Sequence, residues 1–334
     1  MDSANTMTTT SEPLALDARE GRLTRARLKD LLFRKLILLN AVLAISVIVL
    51  IFVYVGKESL PLFLDQQMEQ EVNLNKMFAR QSYGTPDMVL PYVWQPVSEE
   101  PKYSVIPLLL GSIKVTLIAL LFAAPLAVAA AIYTSEFASP LAREFIKPVI
   151  ELLAGVPSVV LGFLALVVLA SWLQNVFQFD YRLNAINAGL AMGLAILPIV
   201  YTVSEDALSS VPRSYREASL ALGVSPWKTA WSVVLPAATP GIFAAMVLGF
   251  GRAIGETMIV LMASGNAAIT SFSFSDSVRT ISATIAAELG EVVFGSPHYS
   301  VLFFLGTLLF IFTFILNMLG DLMVNRLKHR MMGT

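Results

Sequence analysis

Two charged residues stand inside an apolar run with no water to solvate them: Arg252 and Glu256, in Gly251-Arg252-Ala253-Ile254-Gly255-Glu256-Thr257-Met258. A third, Lys114, interrupts the apolar run 106–133. A charge at the centre of a bilayer costs several kcal/mol, so such residues are paired or functional. On one continuous helix, the spacing of Arg252 and Glu256 places them on one face as an i, i+4 pair. Counting residues inward at about 1.5 Å each puts Arg252 beyond the midplane and Lys114 level with Glu256. Lys114 is therefore expected to approach Glu256 or Arg252, leaving one net positive charge, unless its amine snorkels to the headgroups. The chemistry is that of an oxyanion site. A guanidinium fork meets two oxygens at once. A carboxylate beside it accepts the proton of an oxyanion still protonated near neutral pH and repels a fully ionised one. Thr257, Thr116 and Ser158 are candidate hydroxyl donors, with bonding to their own helix backbone as the alternative. A purely structural ion pair is the competing reading of Arg252 and Glu256.

What must hold these residues is a membrane. Of 334 residues, 56% are apolar and 14% charged, against about a quarter charged in soluble domains. Six stretches reach the roughly 20 apolar residues that a spanning helix needs, at 36–55, 106–133, 146–172, 185–203, 237–263 and 300–323. The expected fold is all-α and polytopic. Fifteen of the 23 Lys and Arg fall at 1–35, 134–145 with Lys147, 204–236 and 324–334, and six fall in the intervening segments. Positive charge stays on the cytoplasmic side, so both termini are expected there. That arrangement makes 1–35 a cytoplasmic tail, 36–55 an uncleaved anchor, 56–103 an external loop, 104–326 the core and 327–334 a second tail. The external loop contains the turn-rich run Tyr83-Gly84-Thr85-Pro86-Asp87, and Arg279 to Leu289 carries an amphipathic pattern at Ile281, Ile285 and Leu289.

The near-zero balance of 23 basic and 24 acidic residues argues against a nucleic-acid partner. No cysteine and two histidines, neither inside a span, leave no thiolate or His-based metal or catalytic set. No metal, cofactor or catalytic residue is expected. Gly249, Gly251 and Gly255 around Arg252 read first as close helix packing. Glu151 is expected to contact Arg143 or Lys147.

The segment 204–235 is far longer than a connection between two spans requires. Pro212 suits a first helical turn, Gly223 a left-handed cap, and Ser225-Pro226 a new helix start, with Pro236 closing the segment. The result is a helix-bend-helix whose Tyr215, Ala218 and Leu222 recur on one face, a shape suited to a partner's groove.

Within it, Glu217-Ala218-Ser219, three residues, Gly223, nine residues, Val233, one residue and Leu235-Pro236 resemble the EAA loop of ABC-importer permeases, with Ser219 and Val233 as conservative departures. Glu151 to Phe163 (ELLAGVPSVVLGF) and the run at Arg252 resemble the permease subunits of the phosphate-specific ABC importer, the C-type subunit more than the A-type, over about residues 103–330. The resemblance implies a type I permease core in a bacterial inner membrane. It implies a substrate path at Arg252 and Glu256, and coupling through Glu217, Ala218, Ser219, Gly223, Leu235 and Pro236. The implied partners are a dimeric ATP-binding subunit, a second permease subunit and an external phosphate-binding protein. The chain lacks a G-x-x-x-x-G-K-[ST] phosphate loop, which agrees with hydrolysis by another subunit. Permeases for molybdate, tungstate or sulfate, and a nutrient-sensing scaffold without its own transport role, are the alternatives.

Overall fold

A computed structural model describes residues 14–65, 68, 72–80 and 92–332; the turn-rich run 83–87 lies outside them. Six helical runs are long and apolar enough to cross a membrane: Lys29–Leu64, Ile106–Phe137, Ser158–Phe177, Ala185–Ser209, Pro226–Ile254 and Pro297–Arg326. Residues up to Tyr54 form one unit and Val55–Thr334 the other. The described residues of the first belong to one helix, α1 (Leu14–Ser59), whose last five residues fall in the second unit; it begins well before the expected anchor and absorbs part of the expected tail.

In the second unit, short helices α2 (Pro61–Leu64) and α3 (Leu74–Phe78) precede a two-stranded hairpin, β1 (Trp94–Gln95) against β2 (Lys102–Tyr103). α4 (Ile106–Ile132) widens into a π turn at Tyr133–Phe137, and α5 (Pro140–Ala154) follows. α6 (Ser158–Leu164), a π turn at Ala165–Leu169 and α7 (Ala170–Phe177) make one run. The expected span 146–172 is thus two elements. Pro157 has an extended ψ of 137° and no amide proton to offer, so the helix restarts at Ser158.

α8 (Ala185–Ser209) is the most enclosed run and lies along α4. Close approach is possible because Gly189 and Gly193 face Ile118 and Phe122, where a Cβ would come within 2.5 and 2.7 Å of side-chain atoms. α9 (Arg213–Ala221) and α10 (Pro226–Thr229) form the predicted helix-bend-helix. Gly223 adopts φ +78°, and Ser225 caps α10 by accepting from the Lys228 amide. Pro212 is the cap residue of α9, one position earlier than expected.

Pro236 does not close the segment. A π turn at Ala230–Val234 carries the helix straight into α11 (Leu235–Ile254), the wider turn leaving room for a ring without an amide proton. α12 (Met258–Ala263), α13 (Ile281–Glu288) and α14 (Pro297–Met332) follow; α13 forms where a helix was expected but buries the four successive residues Ile281 to Thr284 rather than one face, with Leu289 exposed, and α14 absorbs most of the expected C-terminal tail.

Between α12 and α13 the irregular segment 264–280 packs on the first turns of α4. Gly111 carries the contact: a Cβ there would lie 2.2 Å from the Arg279 carbonyl oxygen, and the Ile281 amide donates to Ser112 Oγ at 3.0 Å. Overpacking against backbone costs about 1–3 kcal/mol or more. Gly111→Ala is therefore expected to lower the thermal unfolding midpoint of the purified protein. Gly290→Ala, whose Cβ meets nothing within 4 Å, is expected to leave it unchanged.

Candidate functional site

The expected span 237–263 is broken where its charges lie. α11 ends at Ile254 with Gly255 as its cap; the Glu256 amide donates to the Ala253 carbonyl at 3.1 Å, and Thr257 opens α12 by accepting from the Leu261 amide at 2.9 Å. Gly-Glu-Thr is a sequence that stops a helix, glycine through backbone entropy and threonine through its preference for caps. Arg252 and Glu256 therefore sit on either side of a helix end. The expected i, i+4 ion pair between them is not formed. Among the described residues neither side chain has an ion pair or hydrogen bond; Arg252 is exposed and Glu256 half-buried.

The break lies deep. Ile254 lines a small cavity with Leu308, Leu309 and Phe312, at the middle of the Pro297–Arg326 span. Gly251 abuts the Asn317 amide, where a Cβ would be 3.1 Å from Oδ1, and Gly320 abuts Val247. Arg252 stands two residues before the end of the Pro226–Ile254 run, the end away from α10. Beside the break opens a groove of about 500 Å³ lined by Gly255, Thr257, Ser282, Ile285 and Leu309 among others. Ser282 Oγ donates to the Glu256 carbonyl at 2.7 Å, holding the broken backbone open. Irregular backbone at membrane depth is tolerated where protein buries it or a wet cavity meets it.

Lys114 is elsewhere. Its amine donates to the Ser271 carbonyl and, at 2.9 Å, to that of Ser273, and the residue is buried. It neither snorkels nor pairs with Glu256 or Arg252; it ties α4 to the segment 264–280. Thr116 is buried in α4, Ser158 starts α6, and no hydrogen bond joins either to Arg252 or Glu256 among the described residues. Thr257 Oγ1 donates to the Gly255 carbonyl at 3.3 Å, within the break itself. Gly249 packs on Val200 and Gly251 on Asn317, as close packing predicts, whereas Gly255 ends the helix.

At the far end of α8, helices α9 and α10 are braced by contacts invisible in the sequence. Arg216 makes a two-pronged bond to Glu136, Nη2 to Oε1 at 2.7 Å and Nε to Oε2 at 3.0 Å, and also donates to the carbonyls of Val211 and Leu208. The hydrogen-bonded carboxylate raises the guanidinium above its ordinary pKa. Lys147 reaches buried Glu205 at 2.7 Å, and Arg143 donates to the carbonyls of Thr134 and Ser135. Glu151, expected to meet one of these cations, is exposed and takes no ion pair among the described residues.

Within the helix pair, Ser219 is buried and shares a 2.9 Å hydrogen bond with Thr229. A small hydroxyl at this third position locks α9 to α10. Glu217, Ala218 and Gly223 are exposed on the other side, together with Tyr215, Leu222, Trp227 and Trp231. Leu222 is 84% exposed. Trp227 packs between Phe137 and Trp231 at ring separations of 5.6 and 5.8 Å. Leu235 is half-buried and Pro236 exposed, both on α11 rather than on the projecting loop. The arrangement is a rigid knob with an apolar, partly acidic outer face.

Sequence and structure comparisons agree on the kind of protein this resembles. Residues 123–333 match the family described as binding-protein-dependent transport system inner membrane component. A probable ABC transporter permease protein, YqgH of Bacillus subtilis, is 37% identical over 236 residues, covering 70% of this chain and 76% of its own. The phosphate transport system permease protein PstC of Mesorhizobium japonicum is 32% identical over 256 residues, covering 71% and 77%. Among solved structures, a bacterial alginate ABC transporter in complex with its pentasaccharide-bound periplasmic protein gives a TM-score of 0.55 at 14% identity, over 94% of this chain and 98% of that one. An inward-facing MetNI methionine ABC transporter gives 0.51 at 18%, over 67% and 94%. At such identities these two attest to the fold alone.

Proposed function

This chain belongs to the family of binding-protein-dependent transport system inner membrane components, and we propose on that premise that it moves inorganic phosphate into the cytoplasm as the permease subunit of an ATP-driven importer. It is a multi-pass membrane protein of the ABC importer permease fold. Permeases of this family are transport subunits, and a separate subunit hydrolyses ATP.

The observation that carries the proposal is the broken helix with two unspent charges. An exposed arginine at the end of an apolar run and a half-buried glutamate just beyond it, both without an ion pair among the described residues, are costly against lipid. They are tolerable where a second permease subunit and a wet path meet them. There the guanidinium offers paired donors to phosphate oxygens, and Glu256 accepts the proton that phosphate retains at neutral pH. Thr257 and Gly255 line the groove that opens beside the break. Lys114 spends two of its three donors on carbonyls of the 264–280 segment and serves to tie that segment to α4. The exposed face of α9 and α10, with Glu217, Ala218 and Gly223, docks into a dimeric ATP-binding subunit on the cytoplasmic side of a bacterial inner membrane. Both termini lie on that side, and an external phosphate-binding protein delivers the substrate opposite. The phosphate permeases among the relatives support the substrate.

Uptake competition tests it. With the chain, its partner subunits and binding protein in vesicles, excess unlabelled phosphate is expected to suppress uptake of labelled phosphate, and sulfate is not. An acceptor left facing an ion without a proton costs about 1–3 kcal/mol, a discrimination of roughly 5- to 150-fold. Equal competition by sulfate or molybdate would reassign the oxyanion. ATP hydrolysis on docking with no phosphate moved would make the chain a sensing scaffold.

A further inference from the structure

α5 has three faces, and only one has an occupant in this structure. Its fifteen residues, at about 100° per residue, sort by chemistry around the axis. Arg143, Ile146, Lys147 and Ile150 form the arc that meets the rest of the chain: Arg143 holds the carbonyls of Thr134 and Ser135, Lys147 holds Glu205, and the two isoleucines pack on the core shared by α4, α8 and α11. Glu144 and Glu151 form a second arc, exposed and without ion pairs among the described residues. Leu141, Phe145, Val149 and Leu152 form the third, an arc of about 80°, and they are 80, 72, 48 and 74% exposed. No residue of α5 is buried.

We propose that this third face rests on the lipid acyl chains, so that α5 is an interfacial helix lying in the plane of the membrane. The place of the helix in the chain favours lipid over a protein partner. Two residues separate α5 from the end of the Ile106–Phe137 span, and three separate it from the start of the Ser158–Phe177 span. Such short links confine it to one boundary of the bilayer, and a helix there meets protein, water and lipid at once. Its three arcs match those three surroundings in turn. The apolar arc carries no donor or acceptor that a protein partner would have to satisfy, and it continues the outward apolar side chains of α6, Val159, Val160 and Phe163, which are about half exposed. With its cations committed to the bundle, α5 is held by apolar contact rather than by headgroup charge. The consequence is mechanical: Lys147 and Arg143 fasten the cytoplasmic ends of α8 and α4, on which the α9–α10 knob is braced, to an element fixed at the membrane surface.

The chain contains no cysteine, so each introduced cysteine is its single labelling site, and the chain is labelled before assembly with its partners. Leu141→Cys, Phe145→Cys, Val149→Cys, Glu144→Cys and Glu151→Cys are made in the full complex in liposomes, and collision rates with oxygen and with a water-soluble nickel chelate are read by electron paramagnetic resonance. Labels at 141, 145 and 149 are expected to collide strongly with oxygen and weakly with the chelate, and labels at 144 and 151 the reverse. Weak collision with both relaxers at 145 and 149 would overturn the proposal in favour of a second permease subunit covering the face. Strong collision with the chelate there would place the face in water and overturn it too. The readout needs no transport, so it stands whether or not phosphate is the substrate.

Discussion

Arg252→Gln is expected to lower phosphate uptake by about 10- to 100-fold while the complex still assembles. Glutamine keeps a polar planar end group of smaller length but loses the charge and the fork. A hydrogen bond to a charged partner is worth about 1.5–3 kcal/mol, which sets that range. Assembly is expected to survive because Arg252 is exposed and carries no ion pair or hydrogen bond among the described residues, so nothing within the chain is left unsatisfied. Glu256→Gln separates charge from shape: the amide still accepts through its oxygen but also presents donors, and the loss is expected to fall on discrimination against sulfate as well as on rate. The measurement is labelled uptake in vesicles, alongside co-purification of the partner subunits. Wild-type uptake in both variants would reduce the two charges to an incidental feature of the helix break.

Gly223→Val is expected to abolish coupling between ATP hydrolysis and transport. Gly223 sits at φ +78° between α9 and α10 with nothing within 4 Å of a built Cβ, so space is not the obstacle. The left-handed backbone is: it costs an L-residue about 1–2 kcal/mol, and a β-branched side chain more. The bend would relax toward another conformation, and the angle between the helices would change with it. Glu217→Lys tests the same knob without touching its shape, since Glu217 is exposed; it reverses one charge on the face proposed to dock. Both variants are expected to lose co-purifying ATPase or its stimulation by the loaded binding protein, with Gly223→Val the more severe. Full coupled ATPase activity in both would argue that the partner docks elsewhere.

Much of this was legible in the chain. Apolar length alone found six spans, because a bilayer imposes a length that few other contexts require. Turn chemistry found the bend at Gly223 and the start of α10 at Ser225-Pro226, because caps and positive φ are local demands met by few residue types. The same local chemistry marked α9 and α10 as a helix-bend-helix. Asn317 could have been noticed as an amide inside the apolar run of α14; Ser282 could not, since only the folding of 264–280 brings it to Glu256.

The expectations that failed were those that treated an apolar run as one straight helix. Gly255 ends a helix and Pro157 restarts one inside runs that hydropathy alone reads as continuous, so the pairing of Arg252 with Glu256 and the single span 146–172 both dissolve. Depth-counting likewise put Lys114 beside Glu256, whereas the segment 264–280 folds in and takes two of its donors. The sequence by itself determined that this is a membrane-spanning chain, where charge breaks its apolar runs and where its knob bends, because those follow from local composition and backbone chemistry. Which charges meet, which remain unspent, and how Arg216 and Glu136 brace the knob were decided only by the tertiary structure. Contacts between residues eighty or more positions apart depend on how helices stop and pack, and no local pattern carries that information.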